Sequence, residues 1–250
     1  MAGRLWIFDL DDTLLPVAPH YGRAIADFIR LMLDVFGYKA PYWFTIAKLV
    51  NEIDNERADR YGGARFRFPS SLVVCYLRLC KQVEAPYDKK IASRVCQIGM
   101  QVFDINLYLQ DTLIPGVEET LNFLIAQGDE LRVLTKGDLI AQWRKYHGYH
   151  LERWFPYKKF LVVRWEPRIG YPGDKRKVLT EIRKRDPGRK IYFVGDSIRF
   201  DMIPASQVGI TPIYIPTCGK WDRGLPEPPL PPEAIVLKEI AEIMRRHDEL

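Results

Sequence analysis

Arg4-Leu5-Trp6-Ile7-Phe8-Asp9-Leu10-Asp11-Asp12-Thr13 is the stretch that decides the fold. Its first half is apolar, with β-branched and aromatic side chains, and its second half is a run of carboxylates. A short apolar run ended by polar residues predicts a buried strand opening into a loop. Asp9 and Asp11 stand two residues apart just past that strand, so both can face one crevice. There one carboxylate can serve as nucleophile while the other gives and takes protons. An Asp-rich turn is the plain alternative, because such turns are common after strands.

Downstream, the pattern turns helical from about residue 20 to 110. Gly37 and Pro41 mark a turn, Tyr61-Gly62-Gly63 a break, and Pro69-Ser70-Ser71 and Pro86-Tyr87-Asp88 two helix starts. A further helix begins at Pro115-Gly116-Val117-Glu118-Glu119, whose acidic first turn suits the helix dipole. Strands and helices then alternate: strand 131–134, helix 138–147, strand 160–163, helix 175–185, strand 191–194 and a last short strand 212–215. Such alternation implies a parallel sheet covered by helices on both faces. Residues 225–232, rich in proline, are expected to form an extended strap, and residues 233–246 a closing amphipathic helix. The expected organisation is an α/β core, residues 1–15 and 112–250, split by a helical insertion at 16–111.

Four signals fall at the carboxyl ends of the predicted strands, where open parallel sheets hold their ligands. Asp9 and Asp11 are the first. In Leu134-Thr135-Lys136-Gly137-Asp138, a hydroxyl ends the strand and a helix opens, so Thr135, Lys136 and the local N–H groups can hold phosphate oxygens. Asp138 also reads as an ordinary N-cap. Lys175 and Lys177 begin a helix, where an ammonium can bridge a phosphate oxygen and a nucleophilic carboxylate. Gly195-Asp196-Ser197 follows a buried strand, with Asp201 four residues beyond Ser197. Asp9 and Asp196, from neighbouring strands, would supply the carboxylate pair that Mg²⁺ favours.

On these residues the chain resembles the haloacid dehalogenase-like hydrolase superfamily. Asp9-Leu10-Asp11-Asp12-Thr13 is similar to its first motif, Thr135 to its second, Lys175 or Lys177 to its third, and Asp196 with Asp201 to its acidic fourth. The resemblance implies a three-layer Rossmann-like core with a parallel sheet and an inserted α-helical cap domain. It also implies that Asp9 is the nucleophile and a magnesium ligand, and that Asp11 is the general acid and base, with its backbone carbonyl on the metal. Asp196 would be the acidic metal ligand. Thr135 and a lysine, with Lys175 preferred for its place after Pro172-Gly173-Asp174, would bind phosphate. Asp201 would support the metal's waters or orient the lysine. Members that cleave carbon–halogen bonds lack the second acid of the first motif. The presence of Asp11 therefore favours a phosphatase acting on a small phosphorylated metabolite over a dehalogenase. A non-catalytic binding or regulatory protein on the same fold, or another reaction of the superfamily such as a phosphomutase or a dehalogenase, is the alternative.

Composition narrows the partners. The 250 residues are 47% hydrophobic and 28% charged, with net charge +5, an ordinary globular balance. No apolar run is long enough for a membrane helix, and the first residues lack the basic head and cleavage site of a signal peptide. The four cysteines, Cys75, Cys80, Cys96 and Cys218, form no Cys-x-x-Cys pair and are expected to be buried thiols of a cytoplasmic protein. Both signs of charge are mixed except in the basic segment 175–190, so a small phosphorylated substrate is expected rather than nucleic acid or a membrane. In the insertion, Arg57, Arg60, Arg65 and Arg67 are expected on a solvated basic surface. Trp43, Phe44, Phe66 and Phe68 are expected in the core of the cap. His147 and His150 lack further ligands around them and read as surface or packing residues.

Overall fold

A computed structural model describes residues 3–217 and 226–250. Cys218 and Leu225 therefore lie outside the described residues. The first strand, β1 (Leu5–Phe8), is followed by helices α1 (Ala18–Phe36), α2 (Trp43–Tyr61), α3 (Arg67–Gln82), α4 (Lys89–Met100) and the short α5 (Ile105–Leu109). Next come α6 (Val117–Ala126), β2 (Glu130–Gly137), α7 (Leu139–Gly148), β3 (Phe160–Glu166), β4 (Tyr171–Pro172) and α8 (Lys175–Arg185). The chain continues through β5 (Ile191–Gly195), α9 (Ile203–Ser206), β6 (Thr211–Tyr214), β7 (Ile235–Val236) and α10 (Glu242–Arg245).

The sheet runs β4-β3-β2-β1-β5-β6-β7. Every pairing is parallel except that of β3 with β4. β1 sits centrally because both its faces are apolar and both are covered. Trp6 and Phe8 join a cluster with Leu121 and Leu124 of α6, Tyr146 of α7 and Ile243 of α10. Leu5 and Ile7 point the other way, into a cluster with Leu179 and Ile182 of α8 and Ala205 of α9. All four side chains of β1 are fully buried, and burial of an aliphatic or Phe side chain contributes about 1.5–3 kcal/mol. This explains the unbroken apolar run, since a strand packed on one face only would alternate.

Helices α1 to α4 form their own core, which includes Phe28, Met32, Ile46, Leu72, Tyr76 and Val95. This is the helical cap inserted into the three-layer core. Its stripes are regular: in α2 the buried positions are Ile46, Val50, Ile53, Asp54 and Ala58, the i, i+4, i+7 face of an amphipathic helix. Tyr108 of α5 packs instead with the β1 cluster.

Two expectations are corrected. Residues 233–246 do not form one helix. Ile235 and Val236 pair with Ile213 and Tyr214 as an edge strand, Leu237 N donates to Tyr214 O at 2.9 Å, and helix is confined to Glu242–Arg245. The free edge of β6 supplies ladder partners that a β-branched pair fits better than a helical turn. In the cap, Phe68 is buried, but Trp43, Phe44 and Phe66 are 63%, 57% and 51% exposed. Trp43 and Phe44 open α2 and Phe66 precedes α3, so these rings overhang the end of the helical layer instead of entering it.

Candidate active site

β1 lies between β2 and β5 in the sheet: the chain builds β2, β3 and β4 to one side of it and then crosses back to build β5, β6 and β7 on the other. Such a switch point opens a crevice at the carboxyl ends of the strands. Phe8 is level with Val133 on one side and Val194 on the other. Asp9 N donates to Val194 O at 2.8 Å, which holds Asp9 beside Asp196.

The carboxylate oxygens of Asp9, Asp196 and Asp201 come within 4.8 Å of one another. Lys175, the first residue of α8, reaches into this group. Its Nζ donates to Asp9 Oδ1 at 2.5 Å and to Asp201 Oδ1 at 2.7 Å. Lys175 is 3% exposed, whereas Lys177 is exposed. The lysine brought to the site is therefore Lys175. Asp174 caps its helix by accepting from Arg176 N, which fixes where the ammonium enters.

Asp201 is fully buried, on a single π-turn, Ile198–Met202, entered through the Ser197 cap. Ser197 N donates to Asp201 Oδ2 at 3.0 Å. This approach requires glycine at 195, because a Cβ there would stand 2.6 Å from Asp201 Oδ2 and 2.8 Å from its Cβ. Asp196 accepts from Thr13 Oγ1 at 3.5 Å and from Thr217 Oγ1 at 3.4 Å.

Three carboxylates thus stand around one ammonium, which bonds two of them, and the balance is anionic. Burial pushes Asp9 up to about 7 despite the opposing charge of Lys175. Burial, then the charges of Asp201 and Asp9, pushes Asp196 up to about 8. A cluster of hard oxygen donors with too little positive charge is what a divalent cation such as Mg²⁺ fits. Asp9 and Asp196 are the carboxylates that would hold it.

The side chain of Asp11 does not join this group. It turns toward α7, where Lys145 Nζ donates to its Oδ1 and Oδ2 at 2.8 and 2.7 Å and Gln142 Nε2 donates to Oδ2 at 3.2 Å. Lys145 and Gln142 are 4% and 2% exposed, and the sequence did not reveal either. A lysine in the last turn of a helix is what the macrodipole favours anyway, so nothing marks it out. Asp12 also turns away: its Oδ1 accepts from Val17 N at 2.9 Å and Ala18 N at 2.8 Å, serving the start of α1, and burial pushes it up to about 6.

β2 runs past its expected end at Leu134, as far as Gly137, because Thr135, Lys136 and Gly137 pair with Val162, Val163 and Arg164 of β3. Thr135 is 1% exposed near the carboxyl end of that strand. Lys136 sends its ammonium over the rings of Trp165 and Phe200, 3.9 and 3.6 Å from their centroids. Asp138 is the N-cap of α7, accepting from Ala141 N at 3.0 Å. It also pairs with Arg65 of the cap at 2.9 Å.

The expected solvated surface of cap arginines holds for Arg60, which is exposed, and is corrected for Arg65, Arg67 and Arg57. Arg67 is buried and paired with Asp54, and Arg57 donates to Ser70 Oγ at 2.7 Å. The charges of Arg65 and Arg67 are matched by Asp138 and Asp54 where the helices bury them. Cap and core also meet through backbone: Gly63 N donates to Trp165 O at 2.7 Å. A Cβ at neighbouring Gly62 would lie 2.2 Å from that same oxygen.

No helix among the described residues is long and apolar enough to cross a membrane. Cys75 and Cys80 are buried and Cys96 half-buried, all as free thiols.

Known proteins agree with this geometry at the level of fold. A hydrolase structure from Xanthomonas campestris, haloacid dehalogenase-like, is 21% identical with a TM-score of 0.71, the match covering 99% of this chain and 91% of that one. A predicted phosphoglycolate phosphatase from Haemophilus somnus is 20% identical, TM-score 0.58, with 99% of each chain covered. A 2-haloacid dehalogenase from Pseudomonas syringae is 20% identical, TM-score 0.56, again with 99% of each covered. No curated protein matches the chain. The pattern of the haloacid dehalogenase-like hydrolases matches residues 4–209, and with its seven-stranded sheet and inserted cap the chain belongs to that family.

Proposed function

We propose that this protein is a magnesium-dependent phosphatase that hydrolyses a small phosphorylated metabolite through an aspartyl-phosphate on Asp9. The observation that carries the reading is the ammonium of Lys175 between Asp9 and Asp201, with Asp196 in the same group and Asp11 two residues along the loop.

Asp9 supplies the attacking oxygen. As its bond to phosphorus forms, the bond from phosphorus to the ester oxygen breaks, and that oxygen takes a proton from Asp11. Asp11 then accepts a proton from water, which attacks phosphorus and breaks the bond to Asp9, releasing inorganic phosphate. To carry these protons, Asp11 must give up one of the hydrogen bonds it accepts from Lys145. Lys175 offsets the repulsion between the carboxylate and the phosphoryl oxygens, and Asp201 holds it in place. Thr135 and the backbone at Lys136 stand at the neighbouring strand end for the remaining phosphoryl oxygens. Mg²⁺, held by Asp9 and Asp196 and by the backbone carbonyl of Asp11, would neutralise further phosphate charge so that one anion can attack another.

Asp11 favours this chemistry over halide displacement, because a halide leaves without a proton. The test is phosphate release from p-nitrophenyl phosphate with Mg²⁺, comparing wild type with Asp9→Asn, alongside halide release from 2-chloropropionate. Turnover of the ester that Asp9→Asn abolishes is expected. Equal rates in both proteins, or halide release alone, would refute the phosphatase.

A further inference from the structure

Two buried ion pairs stand between α7 and the cap, and they differ in how they are closed. In Arg67–Asp54 the side chains are 9% and 7% exposed, so the pair is sealed at both ends. In Lys145–Asp11 the lysine is 5% exposed and the acid 30%. The open part of Asp11 belongs to the wall of a cavity of about 430 Å³, which Gln142 and Lys145 also line. Burying an ammonium is costly unless a partner offsets it. A pair sealed at its cation and open at its carboxylate satisfies that need and still presents the carboxylate to a ligand.

The loop that carries Asp11 does not set the direction of its side chain. Its backbone is fixed from within: Asp12 N donates to Leu15 O at 2.8 Å, and Leu14 N and Leu15 N to Leu10 O at 2.9 and 3.1 Å. The flanking side chains Asp9 and Asp12 are acids and repel a carboxylate. The holding groups come from α7. Lys145 donates to both oxygens of Asp11 and Gln142 Nε2 to Oδ2 at 3.2 Å. When one of the lysine bonds is released for a proton to be handled, two bonds remain to keep the carboxyl plane. The helix has anchors of its own. Arg144 Nη1 donates to Phe103 O at 3.1 Å, Ala141 packs in the cap core and Tyr146 in the cluster under β1.

We infer that Lys145, assisted by Gln142, is a positioning residue for proton transfer: it holds the Asp11 carboxyl on the cavity side, against the leaving oxygen of the ester, and turned from Asp9. It acts through Asp11 and not on phosphorus. This rests on the phosphatase reading above and deepens it. An ester whose leaving oxygen needs a proton then depends strongly on Lys145, whereas one whose leaving oxygen is stable as an anion depends on it little. A pair that only tied α7 to the loop would serve both esters alike.

The experiment compares kcat/KM of the full chain with Mg²⁺ on phenyl phosphate and p-nitrophenyl phosphate. Both present an aromatic ring, but phenoxide is much the more basic leaving group. The ratio kcat/KM covers the steps up to transfer onto Asp9, so later hydrolysis of the aspartyl-phosphate does not enter. Lys145→Met should lower it at least about tenfold more for phenyl phosphate than for the nitrophenyl ester. Gln142→Met leaves the ion pair in place and should show the same bias at about threefold. Equal losses on the two esters in Lys145→Met, or no loss on either, overturn this inference alone. Should Lys145→Met fail to fold, Gln142→Met decides by the same criterion. Failure of the wild type to hydrolyse both esters overturns the phosphatase reading and this inference with it.

Discussion

The two ends of the site are built by opposite means. At the strand-tip end, Asp9, Lys175, Asp196 and Asp201 come from loops and helix starts at the tips of adjacent strands, and their positions follow from sheet register. At the cap end, Gln142, Lys145, Asp54 and Arg67 come from the middles and ends of helices, and their positions follow from how those helices pack. The first end carries unbalanced negative charge, whereas in the second Lys145 is paired with Asp11 and Arg67 with Asp54.

The sharpest way to break this contrast is at Lys175. Replacing it with Met leaves buried carboxylates without their cation, and phosphate release should fall by about a thousandfold or more; a fall of less than tenfold would mean the ammonium is not at the reacting centre. The equivalent test of the paired end is Arg67→Met, which strands Asp54 at 5% exposure. It should destabilise the protein by about 3–5 kcal/mol in urea titrations, with most of that recovered when Asp54→Leu is added. Failure of the second substitution to recover stability would show that the pair is not a closed unit.

The charge imbalance predicts a pH effect. Asp9 and Asp196 have an ordinary value of 3.8 and are held at about 7 and about 8 in the fold. Folded groups raised in this way keep protons that the unfolded chain sheds. The metal-free protein should therefore lose stability as pH rises from about 4 to about 8. Mg²⁺ competes with those protons, so its stabilisation should grow over the same window. Melting temperatures at pH 5.5 and 8 should show a larger gain with Mg²⁺ at pH 8, each kcal/mol being worth about 2–4 °C in a chain of this size. An equal gain at both would place the ion elsewhere. The smallest effect belongs to the exposed rings: Trp43→Ser should change stability by no more than about 0.5 kcal/mol, and a larger loss would mean that the ring packs against more than its edge contact with Phe44.

The same contrast explains what could be read from the chain. Strand tips are legible because an apolar run covered on both faces ends abruptly when it meets the crevice, as Phe8-Asp9 and Val194-Gly195-Asp196 do. The choice between Lys175 and Lys177 needed coordinates, because both lie in the first turn of α8 and only the helix rotation buries one. Lys145 was hidden for a different reason: its partner Asp11 is 134 positions away, and a basic residue near a helix end has a sufficient local explanation. Arg67 and Asp54 are 13 residues apart on separate helices, so no period links them. The closing helix failed because residues 233–246 keep a helical period, yet the vacant edge of β6 is information held by another part of the chain.

The junction at Gly63 and Trp165 has a further consequence. The link from the cap to β3 is made by a peptide N–H and a carbonyl, groups that every residue but proline carries. Substitutions among the cap's side chains can therefore reshape the cavity wall without touching this fastener. Only a proline at 63, or a methyl group pressed into the gap at 62, would unfasten it.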